Sequence, residues 1–466
     1  MKKFLLFAAT AAMMAMSASA IIDNQLYEPV NDINIANVWI LDRVHAGDAF
    51  TSLEACNTKA RTAVMVDDII YVARSEAWPM QYEGKDTVTG VVYRFKVEDG
   101  TQLEPLVVTL DGAPMGTLLS VNCIGVDNFG HLWITPYTSE LNNDQPFYSL
   151  DAETGELTLL ATFSKDIPQR VDYCDVMGDI TLEEAGCTVM AAAANSSLIY
   201  RWHASQGDAW DDWEGGFAGD PYLDISDFYP ENQTQLGTAP TVKMLYDPNA
   251  DDPYAGELFY VDVFYLPPAL YAVNGTIVDN FEGVDPELIP ESGTNGIAEF
   301  ELEGRNFVVY SKAQYSGDGH GCQANICEMG EGQTFLGMEK YWQIPADSLG
   351  KQTDGGIRAH YFSIKYGEEG GFPCVTLFTF KCYNGMAVYK IGRGVTPNIP
   401  EPPTPGVPGD VTGDGEVDIA DVNAIINIML QKNPASDYPG NADVTGDGDV
   451  DIADVNAVIN IMLGKG

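Results

Sequence analysis

The sequence predicts a mainly β protein in two parts: a large β-propeller-like body of six or seven blades, and a small all-α domain that follows it in the chain. Residues 35–394 consist of short β-rich runs broken by Gly, Asn and Asp turns, with almost no helical periodicity. Six prolines then fall between residues 397 and 408. The 57 residues from 410 onwards contain a duplicated segment, and an apolar helical pattern follows each copy. We therefore expect a body at 21–394, a Pro-rich linker at 395–409 and a tail domain at 410–466.

Hairpin patterns support the strand assignment in the body. Two apolar runs meet at a short polar turn in residues 63–73, in residues 299–310 and around Asn384-Gly385. Such short turns, with apolar runs on both sides, are the strongest local signal for antiparallel pairing. The body is therefore expected to be built from consecutive hairpins.

A weak repeat indicates the blades. An aromatic strand start followed by a glycine turn recurs, with first gaps of 55 and 52 residues, and a further blade fits near Tyr341. Blades of about 40–60 residues give six or seven of them. The repeat begins at Tyr93, Tyr148, Tyr200, Tyr271 and Tyr389.

The early strand at 36–44 could complete the last blade and close the ring, which would hide the edge strands. The hairpin IGVDNFGHLWITPY, from Ile124, resembles one that is common in β-propellers. The alternative architecture is a pair of β-sandwiches.

The first 20 residues predict export. Lys2 and Lys3 precede an apolar run, and Ala18-Ser19-Ala20 is a small-residue cleavage site. The alternative, a transmembrane anchor, needs a longer run. We expect a secreted or cell-surface protein, with the periplasm as a further possibility.

Charge and cysteine content narrow the possible partners. The chain has 68 acidic and 24 basic residues, a net charge of −44, which argues against nucleic acids and anionic membranes. Eight cysteines in an exported chain permit disulfides, and Cys322 and Cys327 are close enough in sequence for a local bridge.

The duplicated segment has the spacing of two calcium loops. Asp410–Asp421 recurs 33 residues later as Asp443–Asp454. Ca²⁺ takes six to eight oxygens, which a twelve-residue loop supplies from positions 1, 3, 5, 7, 9 and 12, with glycine at position 6. Position 7 contributes its backbone carbonyl. The predicted ligands are Asp410, Thr412, Asp414, Glu416, Asp418 and Asp421 in the first loop, and Asp443, Thr445, Asp447, Asp449, Asp451 and Asp454 in the second.

Each loop precedes a helical pattern, and most of the apolar residues of that pattern are expected to lie in a small core. These are Val422, Ile425, Ile426 and Met429, then Val455, Ile459 and Met462. Val417 and Val450, at position 8, are expected to pair the loops. Because the clustered Asp carboxylates repel one another without a cation, folding is expected to require two calcium ions.

This pair of loop–helix units resembles a type I dockerin, in which position 12 is Asp and the entering helix of an EF-hand is missing. The resemblance implies docking to a cohesin module on a scaffold protein, usually in polysaccharide-degrading assemblies. Near-identical repeats would let either helix face that partner. Position 3 is Thr in both loops, at Thr412 and Thr445, where the family usually has Asn. The recognition pairs depart from the usual Ser/Thr and are Ile419-Ala420 and Ile452-Ala453. A different partner, or packing against the body, is the alternative.

The body shows no familiar catalytic motif. Its five histidines lack metal-site spacing, and neither a GxSxG elbow nor a Walker loop is present. Trp210 and Trp213 lie in a polar loop that could form a glycan-binding rim, or could anchor that loop to the body.

Two functions remain open at this point. The first is a binding protein whose propeller holds a glycan or a protein. The second is an enzyme, a glycoside hydrolase or polysaccharide lyase, delivered by the same tail.

Overall fold

The computed structural model divides the chain into two compact units, Met1–Asn398 and Ile399–Gly466. The signal segment before residue 20, Cys56 and linker residues 399–407 lie outside the described residues. No helix in the described part is long and apolar enough to cross a membrane. The structure describes residues 20–21, 27–44, 60–74, 78–115, 121–136, 144–164, 170–217, 222–226, 240–263, 266–290, 296–312, 322–346, 349–350, 360–398, 408–412, 417–430, 432 and 442–463.

Among the described residues the body has six sheets of four to six strands and one separate two-stranded hairpin, so the prediction of a propeller is confirmed and its blade number is six. Blade 6 takes one strand from the start of the chain. The first strand is β1 (Asn34–Asp42). Blade 1 contains β2 (Ala60–Val66), β3 (Ile69–Arg74), β6 (Val91–Lys96) and β7 (Gln102–Val107), and the separate hairpin of β4 (Trp78–Tyr82) and β5 (Lys85–Thr89) lies between β3 and β6 in the chain. Blade 2 contains β8 (Thr109–Leu110), β9 (Ala113–Pro114), β10 (Val121–Val126), β11 (Leu132–Pro136), β12 (Gln145–Leu150) and β13 (Glu156–Phe163), and blade 3 contains β14 (Val171–Gly178), β15 (Cys187–Ala193), β16 (Leu198–Ala204), β17 (Glu214–Gly215) and β18 (Tyr222–Asp224). Strand pairing in the blades is antiparallel, apart from the short parallel pair of β8 with β13.

Blades 4 to 6 follow the same hairpin order. Two helices in the tail unit complete the secondary structure. Blade 4 contains β19 (Thr241–Leu245), β20 (Leu258–Val263), β21 (Leu266–Ala272) and β22 (Ile277–Asp279), and blade 5 contains β23 (Ile297–Leu302), β24 (Arg305–Ser311), β25 (Ala324–Gly330) and β26 (Thr334–Ile344). Blade 6 contains β27 (His360–Glu369), β28 (Phe372–Lys381) and β29 (Gly385–Gly392), with β1 as its fourth strand. The two helices are α1 (Ile419–Met429) and α2 (Ile452–Met462).

The ring closes through β1, as the sequence predicts. This strand pairs antiparallel with β29 and becomes the outer strand of blade 6. Trp39 of β1 also connects the last blade to the first, because its indole Nε1 donates to the carbonyl of Val97 at 2.7 Å. Gly100, at φ +68°, lies under this ring, where a Cβ would be 3.0 Å from an indole carbon. Closure thus depends on a glycine turn as well as on strand pairing.

Six large apolar clusters form most of the described core of the body, and each contains residues from two neighbouring blades. Strands are therefore buried on both faces, as in β15, whose seven residues are all buried. This explains why simple apolar–polar alternation is weak in the sequence.

Each repeat tyrosine lies in the third strand of its blade, from β6 to β29. Tyr341 is the exception, because it lies in β26, the fourth strand of blade 5. None of the seven described cysteines forms a disulfide with another described cysteine. Cys322 lies near Cys382, whereas Cys327 contacts Tyr310, so the proposed Cys322–Cys327 bridge is not formed.

The first strands of the blades surround the central channel. Contacts between neighbouring inner strands run from β23 through β27, β2, β10 and β14 to β19. The connection leading into each inner strand includes residues outside the described set, whereas the hairpins that leave these strands are described. These hairpins form the described rim of the channel, at the face where the inner strands end.

The tail unit is a pair of capped helices on a small core. Asp418 and Asp451 cap α1 and α2, each accepting from a backbone amide two residues later. Val422, Ile425 and Val455 are buried as predicted. The core prediction is wrong for Ile426, Met429, Ile459 and Met462, which are all exposed. Val417 and Val450 pack against the core. No ladder joins them among the described strand pairs.

Candidate functional site

Both calcium loops are organised around the aspartate at position 12. Asp421 and Asp454 have no exposed surface. One oxygen of Asp421 accepts from the backbone amides of Val411 and Thr412, and the other accepts from Asp418. Asp454 repeats the pattern, accepting from the amides of Thr445 and Asp451. Two loops that differ only at position 7, Glu416 against Asp449, thus share this hydrogen-bonding pattern around position 12.

These bonds also determine the charge state of the two carboxyls. Burial alone would raise the pKa of Asp421 and of Asp454. The amide donors, Asp418 and Asp451 foremost, outweigh burial and hold both pKa values below the usual value of 3.8. Both groups are therefore ionised at neutral pH.

The second loop is described in full and offers a set of oxygens suited to a hard cation. Asp443, at position 1, accepts from the amides of Gly446, Asp447 and Gly448, which folds the loop around its carboxylate. Five aspartates and no basic residue lie between 443 and 454. In the first loop Asp410, Thr412, Asp418 and Asp421 are described, whereas Asp414 and Glu416 are not. The donor chemistry fits calcium.

The two helices present matching apolar faces to solvent. Ile419 and Ile452 are 60% and 59% exposed, and Ala420 and Ala453 are exposed beside them. The predicted recognition pairs thus lie on the surface at the first turn of each helix. The exposed apolar residues, each paired with its counterpart in the other helix, are Ile419 and Ile452, Ile426 and Ile459, Met429 and Met462, and Leu430 and Leu463.

A cavity of about 970 Å³ occupies the channel of the body. It is lined by the inner strands and by residues that follow them, such as Tyr246 after β19 and Asp127 after β10. Its lining therefore reaches the face where the inner strands end. This volume is within the range of small-molecule sites.

Two tyrosines meet within this channel. Tyr173 belongs to β14 of blade 3 and Tyr361 to β27 of blade 6, which are opposite blades of a six-membered ring. Their rings form an edge-to-face pair with centroids 5.7 Å apart. Both lie near the starts of their strands, so the pair spans the channel at that end.

The lining is acidic and its one lysine is paired. Five carboxylates line the cavity, and Lys243 is the single lysine or arginine among the described lining residues. Its ammonium lies 2.9 Å from Asp175, which also accepts from the amide of Met244. His360 lies between Ser311 and Thr379, and burial lowers its pKa well below the usual value. The described lining thus offers no unpaired positive charge at neutral pH.

The two tryptophans expected at a glycan rim pack against blade 3. Trp210 is 7% exposed, and its Nε1 donates to the carbonyl of Ile180 at 2.8 Å. Both indoles meet Phe163 edge-to-face, with centroids 5.8 Å away for Trp210 and 5.5 Å for Trp213. This placement corresponds to the anchoring alternative. The exposed aromatic residues at the cavity are Tyr246 and Tyr366, which sequence reasoning missed.

One histidine lies between two buried carboxylates. His131 Nδ1 is 2.9 Å from Asp127 and 3.3 Å from Asp179. Both carboxylates also accept from backbone amides, Asp127 from Ile180 and Asp179 from Thr181 among others. The cluster therefore holds the turns of blades 2 and 3 together.

The family model of the dockerin type I domain matches residues 408–463. No curated protein matches the sequence. Among solved structures, a DUF4623 family protein from Bacteroides eggerthii gives a TM-score of 0.54 at 11% identity, over 79% of this chain and 77% of that chain. An alpha-L-arabinanase from Penicillium chrysogenum, complexed with arabinobiose, gives a TM-score of 0.41 at 12% identity, over 72% and 94%.

At such identities the first structure shows a shared fold alone, and the second is too distant to support an argument. The family match covers the two loop–helix units of the tail. Residues 408–463 therefore form a dockerin type I domain, which follows a six-bladed β-propeller-like body in the same chain.

Proposed function

We propose that this protein is an exported component of a polysaccharide-degrading assembly. Its dockerin domain docks to a cohesin-like partner, and its propeller binds a glycan or a protein. The observation that carries the proposal is the duplication in the tail, where two loops with one hydrogen-bonding pattern support two helices with matching exposed faces. The pattern of residues 1–20 supports a secreted or cell-surface location.

Two calcium ions would bind the loops, through Asp410, Thr412, Asp414, Glu416, Asp418 and Asp421 and through the equivalent six residues of the second loop. Calcium supplies the positive charge that the clustered carboxylates require. The side chains of this chain orient the loop, since the position-1 and position-12 aspartates hold its amides.

Calcium titration of the full chain tests this assignment. Calorimetry is expected to give two ions per chain, and the helical circular dichroism signal should fall when calcium is chelated. Asp443→Ala should abolish binding at the second loop. Asp449→Ala is the matched control, because position 7 binds through its backbone carbonyl and the same charge is removed from the same loop. Equal losses from both variants, or a full helical signal without calcium, would contradict the assignment.

The partner surface is apolar and present twice. Because either helix can face a partner after a half-turn, Ile426→Glu or Ile459→Glu alone should leave docking to a cohesin module intact, whereas the double variant should lose it. Leu159→Glu, on an exposed site of the body, is the control. Binding to a panel of cohesin modules, with and without calcium, measures the effect. Loss of docking in either single variant would contradict the two-face arrangement.

An enzymatic body is the second candidate, and one observation favours it. Glu299 lines the cavity, and burial raises the pKa of its carboxyl although the Tyr260 hydroxyl donates to it. A carboxyl with a raised pKa is what a general acid in glycoside hydrolysis requires. Incubating the full chain with polysaccharides tests this, since a hydrolase or a lyase releases shortened products and a binding protein does not.

A further inference from the structure

We propose that the channel cavity is a blind site for one end of an uncharged saccharide chain, which enters from the face where the inner strands end. This rests on the proposed ligand-binding role of the body, and it names the site and the class of ligand.

The cavity has a closed end and an open end. The Tyr173–Tyr361 pair spans the channel near the strand starts. At the other end Tyr246 and Tyr366 are 49% and 61% exposed, and both line the cavity. A chain terminus can therefore enter a pocket of this kind, but a polymer cannot pass through it.

Two buried donors in the lining lack acceptors. The hydroxyl of Tyr361 and the Nε1 of Trp133 are buried, and neither has a hydrogen-bond partner in the described part of the chain. Trp133 is held in place by Gly125, where a Cβ would lie 2.2 Å from the indole ring. Buried donors without partners are costly in a folded protein. Hydroxyl and ring oxygens of a sugar are the acceptors that would satisfy them.

The charge of the lining selects against acidic sugars. Its five carboxylates face one ammonium group, which Asp175 already neutralises. A uronic acid or a phosphate would meet repulsion and find no unpaired cation. A cationic ligand would meet attraction but would bring no acceptor for Tyr361 and Trp133.

Two aromatic rings at the open end of the cavity are held in fixed positions. Tyr366 is held by its hydroxyl, which accepts from the amide of Glu301 at 3.1 Å. Tyr246 packs against Tyr254 with centroids 5.3 Å apart. Exposed rings that are fixed in this way offer flat apolar faces for the C–H faces of sugar units, while nearby carboxylates accept from sugar hydroxyls.

Calorimetry on the full chain with calcium, using short neutral oligosaccharides and their uronic-acid counterparts, tests the proposal. The neutral series is expected to bind, and the acidic series to bind at least about tenfold more weakly. Tyr361→Phe should weaken neutral binding by about tenfold, since one hydrogen bond is lost. Tyr366→Ala should also weaken the binding of neutral oligosaccharides, because it removes an exposed ring at the open end of the cavity. Tyr310→Phe, outside the cavity, is the matched control and should leave affinity unchanged.

The outcomes separate this inference from the proposed function. If the Tyr361→Phe and Tyr366→Ala variants bind neutral saccharides as tightly as the parent chain does, the glycan site lies elsewhere in the body. The body would then remain a glycan-binding module. Tighter binding of the acidic series would overturn the ligand class. If no saccharide binds, the cavity proposal fails and the glycan role of the body fails with it, whereas docking of the tail is unaffected.

Discussion

Two buried tyrosine hydroxyls in the body have opposite surroundings. Tyr310 donates to the carbonyl of Leu288 at 2.6 Å and accepts from Asn325, whereas the hydroxyl of Tyr361 has no partner among the described residues. Removing a partnered buried hydroxyl leaves unsatisfied groups behind, and removing an unpartnered one does not. The two residues therefore make a matched pair for a stability measurement.

Tyr310→Phe is expected to lower the free energy of unfolding of the body by about 1–2 kcal/mol. Tyr361→Phe should leave it within about 0.5 kcal/mol of the parent chain in the absence of ligand. Denaturant unfolding of the full chain, followed by tryptophan fluorescence, compares them. A larger loss from Tyr361→Phe than from Tyr310→Phe would show that the Tyr361 hydroxyl is satisfied and that the site is not built as described.

The position-12 aspartates make the tail sensitive to acid. Their folded pKa values lie below the usual 3.8, so each contributes stability that is present above that value and is lost as pH falls through the folded pKa. With calcium present, the helical signal of the full chain is expected to decline below about pH 4. Asp421→Asn with Asp454→Asn should lower the helical signal already at about pH 7, because the negative charge that organises each loop is then absent at every pH. A double variant that keeps the parent chain's signal at neutral pH and its acid profile would contradict the role given to these carboxyls.

At the scale of elements, strand β1 closes the ring of blades. Trp39 is 2% exposed and connects blade 6 to blade 1 through Val97. Trp39→Ala is expected to cost about 3–5 kcal/mol of body stability through the cavity it leaves and the lost bond. Leu159→Ala, on an exposed site of β13, should cost less than about 0.5 kcal/mol. Equal melting temperatures of the body in these two variants would show that closure does not depend on Trp39.

The sequence indicates some elements and misplaces others for physical reasons. The aromatic–glycine repeat identifies the third strand in five blades. In blades 1 to 4 the glycine lies in the turn into the fourth strand, whereas β29 in blade 6 has no such connection because its fourth strand is β1. Tyr341 does not mark a third strand, because β25, the third strand of blade 5, has no aromatic residue. Helical spacing finds α1 and α2, but it cannot tell buried Ile425 from exposed Ile426, since both lie on broad apolar faces. Only packing separates the core face from the docking face.

At the scale of the whole molecule, local and distributed sites differ in how far sequence predicts them. The calcium loops are predictable because their ligands lie within twelve consecutive residues. The channel cavity is not, because its lining comes from strands as far apart as β2 and β27, and no short motif brings Tyr173 to Tyr361. His131 shows both cases, because Asp127 lies four residues away in the same turn, whereas Asp179 reaches it from the neighbouring blade 3.

Bridging of a cohesin module to a polysaccharide tests the central claim most directly. A neutral polysaccharide that retains the full chain is immobilised, the chain is added, and a cohesin module follows with calcium. The account predicts that the module is retained only with the chain and calcium, and that a chelator releases the module while the chain stays bound. If no neutral polysaccharide retains the chain, if the module fails to bind in calcium, or if a chelator releases the chain as well, the account of a calcium-dependent tail and an independent glycan-binding body is contradicted.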